Sequence, residues 1–427
     1  MTGDRAKFPA AENAAHLSLL LGRLLLMNGA ETAQVRSSVE RFAEGLGYEA
    51  RLVFTYEALL LTVGADGGFR TKVGRHVQTT SVNMAAIESL NRITDEIASG
   101  VLDAASAGAR LDAVEHAGAL YPRWLVAISL GLTGASLSRL FGGDWPVFIT
   151  VFVAAAIGTA VRQQLGRWRA HPLAIPLITA LVSGTIGGWG MRLHPGAVPA
   201  LCLIAPGMIL VPGVPLINGI RDAISSNMDL ALARLAFSAL IVVAIALGLA
   251  AAAAVTSVAI PVFELNPLLP IPEDAIFSAL TTIGYVFLFN VGSRVFWACI
   301  LCGVCCHALR TTLLHCGLDI ISGTLIASMV AGILAHIFSR LFRTPSVTFA
   351  FPAVVALVPG SYAFRAFVGG LQILRASGSA SIPLVAETMS LVMYVILLTS
   401  AIAIGLAVAL AMPLPGLRQK NNSGVAH

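Results

Sequence analysis

Two regimes of hydrophobic patterning meet near residue 120. Before it, apolar positions recur at helical spacing with charged positions between them. Residues 13–28 read as a helix closed by Gly29, and 31–46 as a second helix closed by Gly47, with Glu40, Arg41 and Glu44 on its wet side. Residues 51–63, rich in β-branched and aromatic side chains (Val53, Phe54, Thr55), predict one strand, and a glycine-containing turn at 64–68 leads to a second at 69–77. Helices over 83–99 and 104–120 complete a small α+β unit ahead of Pro122. From Trp124 the polar positions thin out. Ten apolar segments follow, at 124–141, 145–161, 173–191, 198–218, 231–256, 275–291, 294–310, 317–339, 346–364 and 383–411, each near the length that crosses a bilayer.

Composition sharpens that division. Hydrophobic residues make up 57% of the 427 and charged residues 11%, too few to coat several water-soluble domains. Residues 1–123 hold 26 of the 49 charges and are net −2, whereas the rest is net +7 with its cations scattered singly. That scatter gives no basic patch for nucleic acid. The expected organisation is a cytoplasmic α+β domain (1–120), a five-span membrane unit (121–256), an external linker (257–274), a second five-span unit (275–412) and a cytoplasmic tail (413–427). With the N-terminus inside, ten loop and tail cations fall on the cytoplasmic side against five outside. The linker, carrying Glu264, Glu273 and Asp274 without Lys or Arg, is the clearest external loop. No secretory signal pattern is visible.

Two words occur twice in the same order. Ser183-Gly184-Thr185 precedes Val211-Pro212-Gly213, and Ser322-Gly323-Thr324 precedes Val358-Pro359-Gly360. A duplicated unit with an odd number of spans is expected to be inverted, as in many secondary transporters. Proline removes a backbone donor and glycine relaxes the helix, so the Pro-Gly words predict broken helices whose ends meet a polar solute; an ordinary kink is the alternative. Pro212, Gly213, Asn218, Arg221 and Asp222, with Pro359, Gly360, Tyr362 and Arg365, are therefore the candidate solute site. The cations would face a carboxylate and Asp222 an ammonium, although Arg221 and Arg365 also suit interfacial anchors. Glu387, the fifth residue of the last span, and Asp319 are the candidate proton carriers, with a solvated position for Glu387 and a helix-start role for Asp319 as alternatives.

Six cysteines all lie in apolar stretches, which argues against a disulfide framework. The run Cys299, Cys302, Cys305, Cys306 and His307 spreads along a helix stripe rather than converging, so it reads as packing and neither a metal nor a cofactor is expected. His315 and Asp319, one turn apart, could pair, but no nucleophile elbow accompanies them and an enzyme is not expected.

The stretch Leu24-Leu25-Leu26-Met27-Asn28-Gly29-Ala30-Glu31-Thr32 with Val35, Gly47 and Thr71-Lys72-Val73 resembles the N-terminal part of the threonine/serine exporter family, ThrE. Pro206-Gly207, Val211-Pro212-Gly213 and Asn218-Gly219-Ile220-Arg221-Asp222 resemble the end of that family's first membrane unit. Gly284-Tyr285, Phe289-Asn290-Val291, Gly303, Pro352 and Val358-Pro359-Gly360-Ser361 are similar to its second. The departures are Ala33-Gln34-Val35, where an arginine is expected near the valine, and Gly292 in place of a proline. The resemblance covers roughly residues 14–410. It implies export of L-threonine and L-serine across a bacterial inner membrane, driven by the proton motive force. Split-chain relatives linked to dicarboxylates such as succinate supply the alternative substrate. Partners would be the small solute, protons and lipid, with homo-oligomerisation left open.

Overall fold

The computed structural model describes residues 3–55, 58–65, 68–75, 82–193, 198–263 and 268–412; Glu264 and the expected tail 413–427 lie outside them. In the N-terminal unit, α1 (Gly3–Met27) is the central element. It touches α2 (Thr32–Gly45), a sheet of β1 (Glu49–Phe54), β2 (Ala58–Ala65) and β3 (Gly68–Arg75), and then α3 (Met84–Ala98) and α4 (Ala104–His116). Leu21, Leu24, Leu25 and Leu26 are buried there because partners surround the helix on several sides.

The strand expected over 51–63 is two strands. Thr55 N donates to Ala58 O at 2.9 Å, and the Thr55 hydroxyl accepts from Ala58 N at 3.0 Å, closing a turn inside a run without Gly or Pro. The meander runs β1-β2-β3, all antiparallel, with Leu52 opposite Leu61. Pleat alternation then sends Leu52, Leu59, Leu61 and Val63 to the buried face.

The remaining chain is helical: α5 (Arg123–Leu140), α6 (Trp145–Arg167), α7 (Ala174–Leu193), α8 (Leu201–Met208), α9 (Gly213–Ile224) and α10 (Met228–Thr256), then α11 (Ile271–Leu288), α12 (Phe296–His315) behind a short 3-10 turn, α13 (Ile320–Phe342), α14 (Ser346–Val354), α15 (Gly360–Ala376) and α16 (Ile382–Ala411). Seven of these are long and apolar enough to cross a membrane: α6, α7, α10, α11, α12, α13 and α16. The bent pairs α8/α9 (55°) and α14/α15 (41°) raise the number to nine. The tenth expected segment, α5, is an 18-residue helix outside that set. All five tryptophans, Trp124, Trp145, Trp168, Trp189 and Trp297, lie near helix ends and are more than half exposed, which suits the two edges of a bilayer.

The order of helix contacts in the first half recurs in the second. α5 touches α6 and α8, α6 touches α7 and α8, α7 touches α8 and α10, and α9 touches α10. The second half repeats this: α11 with α12 and α14, α12 with α13 and α14, α13 with α14 and α16, and α15 with α16. Glycines set the same contacts in both. A Cβ on Gly248 of α10 would lie 2.4 Å from the Leu177 carbonyl oxygen, and one on Gly405 of α16 would lie 2.8 Å from that of Leu325. Likewise Gly184 of α7 meets Leu249 and Ala252, and Gly332 of α13 meets Leu406 and Ala409. The partner of Gly184 is thus Gly332. Gly323, in the first turn of α13, instead faces Arg310 and Leu313, so the repeated Ser-Gly-Thr words do not mark equivalent places.

The halves meet where α5 packs on α11, and Gly284 allows it: a Cβ there would fall 1.7 Å from the Thr133 hydroxyl oxygen and 2.6 Å from the Ser129 carbonyl oxygen. Gly284→Ala is expected to destabilise the detergent-solubilised protein by about 1–3 kcal/mol, read as a lower Tm, through overpacking. Gly370→Ala, where a Cβ meets nothing within 4 Å, should leave Tm level or slightly raised.

Candidate functional site

At the Pro-Gly words the two broken helices adopt the same local structure. Pro212 has φ −77° and ψ 66°, Pro359 φ −77° and ψ 55°, and in each case the following glycine N–H donates to the residue before the proline at 2.8 Å. These are inverse γ-turns. They also pack on each other reciprocally: a Cβ on Gly213 would meet Val355 at 3.2 Å, and one on Gly360 would meet Val211 at 3.2 Å. The turns are thus in contact at that crossing. The expected site lay between the two Pro-Gly elements; a solute-sized space opens beside the first of them, at Pro212-Gly213.

That space is a cavity of about 600 Å³, within the range of small-molecule sites. Pro212, Gly213 and Val214 form its floor, Tyr285, Leu288 and Phe289 of α11 one wall, and Val82 of the N-terminal unit reaches it. Its charged lining is Arg162, on the last turns of α6, and Arg169, held at φ 52° in the turn beyond. Among the described residues no carboxylate lines it and none pairs with Arg162. Pro359, Gly360, Tyr362 and Arg365 are not part of its lining.

Asn218, Arg221 and Asp222 are committed elsewhere. Gly29, at φ 94°, ends α1 and turns the chain so that residues 29–32 run against α9. Arg221 then holds Glu31 through both nitrogens, at 2.7 and 3.0 Å. Asp222 pairs with Arg234 of α10 at 2.8 Å and accepts from the Thr32 hydroxyl, while Asn218 Nδ2 donates to Gly29 O at 3.1 Å. Arg234 donates to Ala30 O at 3.3 Å. Burial outweighs the arginine beside it and raises the Glu31 carboxyl above its ordinary range. A second dock joins α3 to α11: Met84 N and Ala85 N donate to the carbonyls of Phe289 and Asn290, and Asn290 Nδ2 donates to Asn83 Oδ1 at 2.8 Å. The carbonyls that end one helix thereby satisfy the amides that start another.

The remaining candidates lie apart from the cavity. Arg365, 2% exposed, donates to Val262 O and stands 3.7 Å from Glu387, which is 34% exposed. Tyr362 packs on Tyr394. Asp319 is exposed and caps α13, accepting from Ile321 N and Ser322 N at 2.9 Å; the Ser322 hydroxyl first, and then those backbone bonds, lower its carboxyl below the ordinary range. His315 binds the Leu269 carbonyl at 2.9 Å rather than Asp319. Cys299, Cys302 and Cys306 are buried, Cys299 donating to Thr348 O at 3.3 Å across the α12–α14 contact.

Residues 16–256 match the family described as "Putative threonine/serine exporter", ThrE. The chain belongs to this family. Residues 274–413 match its second model, "Threonine/Serine exporter, ThrE". A Mycobacterium tuberculosis protein named "Probable threonine/serine exporter" is 26% identical over 400 residues, 85% of this chain and 73% of its own length. The "Probable succinate transporter subunit YjjP" of Escherichia coli is 29% identical over 53% of this chain and 89% of its own length, and that of Klebsiella aerogenes 30% over 52% and 85%. No solved structure matches significantly. The chain is therefore a multi-pass membrane transporter of the ThrE family.

Sequence reasoning missed Arg162, which looked like a loop cation, and the dock itself. The signal for the dock was present as two polar words, Gly29 to Thr32 and Asn218 to Asp222, whose charges complement each other. Arg221→Met is expected to cost about 3–5 kcal/mol by stranding buried Glu31. Adding Glu31→Gln should recover most of that loss. A double-mutant cycle on thermal unfolding in detergent measures the coupling, and additive losses would refute it.

Proposed function

We propose that this protein is a proton-driven secondary transporter of small carboxylate-bearing solutes in a bacterial inner membrane, built as an inverted repeat of two five-span units with its N-terminal unit and termini in the cytoplasm. The observation that carries the substrate reading is the cavity beside Pro212-Gly213: two arginines, no carboxylate and an otherwise apolar wall. A zwitterion needs an anionic or carbonyl partner for its ammonium, whereas a dianion needs cations alone, so the charge pattern favours a dicarboxylate such as succinate. The relatives named as succinate transporter subunits agree with that preference. Threonine and serine are the second reading, favoured by the exporter relative that aligns across 85% of this chain. The orientation rests on the ten-to-five bias of loop cations.

The test is purified protein in liposomes preloaded with labelled succinate or threonine under an imposed pH gradient. Gradient-dependent succinate flux exceeding threonine flux is the expected result, with both solutes recovered chemically unchanged. Arg162→Met should lower succinate flux at least tenfold, consistent with about 2–5 kcal/mol for a desolvated charge contact. Threonine flux alone would hand the cavity to the zwitterion. Downhill flux indifferent to a collapsed gradient would indicate a channel.

A further inference from the structure

We infer that Asp274 of α11 and His307 of α12 form a proton-binding site, steadied by Thr311, at the end of α11 remote from the cavity. Asp274 falls in the first turn of α11 and is 3% exposed, not part of an open external loop as its sequence surroundings suggested. His307 is 1% and Thr311 3% exposed. The Thr311 hydroxyl donates to Asp274 Oδ2 at 2.9 Å, and His307 Nδ1 stands 3.7 Å from the same oxygen. That separation is close enough for attraction and too long for a hydrogen bond. Asp274 Oδ1 and both His307 ring nitrogens have no hydrogen-bond partner among the described residues. Buried polar groups are normally satisfied, and a carboxylate facing an imidazole with unused positions on both is a place to take up and give back a proton.

One half-buried cation, Arg310, faces both members of this pair. From α12, Arg310 acts on Asp274 from the next turn, Cys306 lies beside His307, and His315 is occupied with the Leu269 carbonyl. From α5, Arg139 is paired with Glu273 at 3.2 Å and lies over the rings of Trp145 and Phe277. α14 and the 3-10 turn Val355–Leu357, which also touch α11, carry no titratable side chain, and α13, packed on α12, carries His336 and Arg340 in its last two turns.

The repeat shows that the pair is an addition to one half. α5 and α11 have 18 residues each, and the spans Trp145–Arg167 and Ser293–His315 have 23 each. Aligned end to end, Arg310 matches Arg162, His307 matches Thr159 and Asp274 matches Val126. The cation recurs, and the acid with its imidazole does not. Eleven residues along α11, about 16 Å away, Tyr285 walls the cavity, so one helix carries the proton site at one end and the solute at the other. Only an O–H or N–H bond forms or breaks, and the proton exchanges with water.

The role in coupling rests on the proton-driven reading, so the experiment has one arm that needs no solute. Infrared difference spectra of the full chain in lipid nanodiscs, taken between about pH 4 and 9, should show a carboxylic-acid band that vanishes in Asp274→Asn and shifts in His307→Gln. In liposomes, folded Asp274→Asn should lose gradient-driven accumulation at least tenfold, and its solute exchange should become flat with pH. Where Asp274→Asn does not fold, Thr311→Val, which keeps the acid and removes its donor, should shift the band. Absence of any band tied to Asp274 overturns the site, and undiminished accumulation in Asp274→Asn overturns its role in coupling. A band that behaves as expected while no proton gradient moves either solute would refute the transport reading and leave the proton site standing.

Discussion

Inside hydrocarbon a backbone amide or carbonyl without a partner costs several kcal/mol, and the two proline-centred breaks are where this chain meets that constraint. At Pro212 and Pro359 the proline has no N–H to lose, and the following glycine N–H is satisfied within the γ-turn itself. Each turn then shields the other, Gly213 against Val355 and Gly360 against Val211. The glycines permit that approach. Everything else is arranged around this crossing: α8 buries all of its residues and α14 all but Ser346, and α9 and α15 leave it toward different partners.

Those departures give the two halves different tasks. α9 runs to Glu31 and Thr32 and fastens the N-terminal unit, whereas α15 sends Arg365 to Val262 and Glu387. The buried charges under the N-terminal unit would be costly alone, but each is matched with good geometry, and matched buried pairs fix register more than they add stability. With a second fastening at Asn290 and Val82 in the cavity wall, the N-terminal unit is part of the cavity's enclosure. Any rearrangement of α9 or α11 must therefore move that unit or break its docks.

How much of this was legible depended on whether the partner of a residue was local. The helix end at Gly29 and the Pro-Gly breaks follow from neighbours in sequence, and the apolar segments reappear as helices, seven to nine of them of spanning length. The hairpin inside 51–63 did not, because Thr55 makes the turn with its hydroxyl and no glycine announces it. Arg221 and Asp222 were legible as polar residues needing an explanation; that Glu31, Thr32 and Arg234 supply it is long-range information. The Ser-Gly-Thr words misled for a related reason. Small residues recur wherever helices approach closely, so identity of three letters carries less than identity of contacts, and only the contacts pair Gly184 with Gly332.

A duplicated backbone with unequal chemistry narrows what each half can do. The shared features, the γ-turns, the glycine contacts and the paired arginines Arg162 and Arg310, serve the architecture that both halves need. What differs marks divergence. Arg162 lines an apolar cavity that no carboxylate enters, a setting that holds an anion and repels a proton. Arg310 instead overlooks a buried acid and imidazole, a setting in which a proton changes the local charge without any solute present. On the proposed reading, exchange of an anion against a proton gradient uses both settings, kept apart so that the charges do not cancel on one spot, yet joined by an element that feels both. α11 is that element: it begins at Asp274 and ends at the wall of the cavity and the amides of α3.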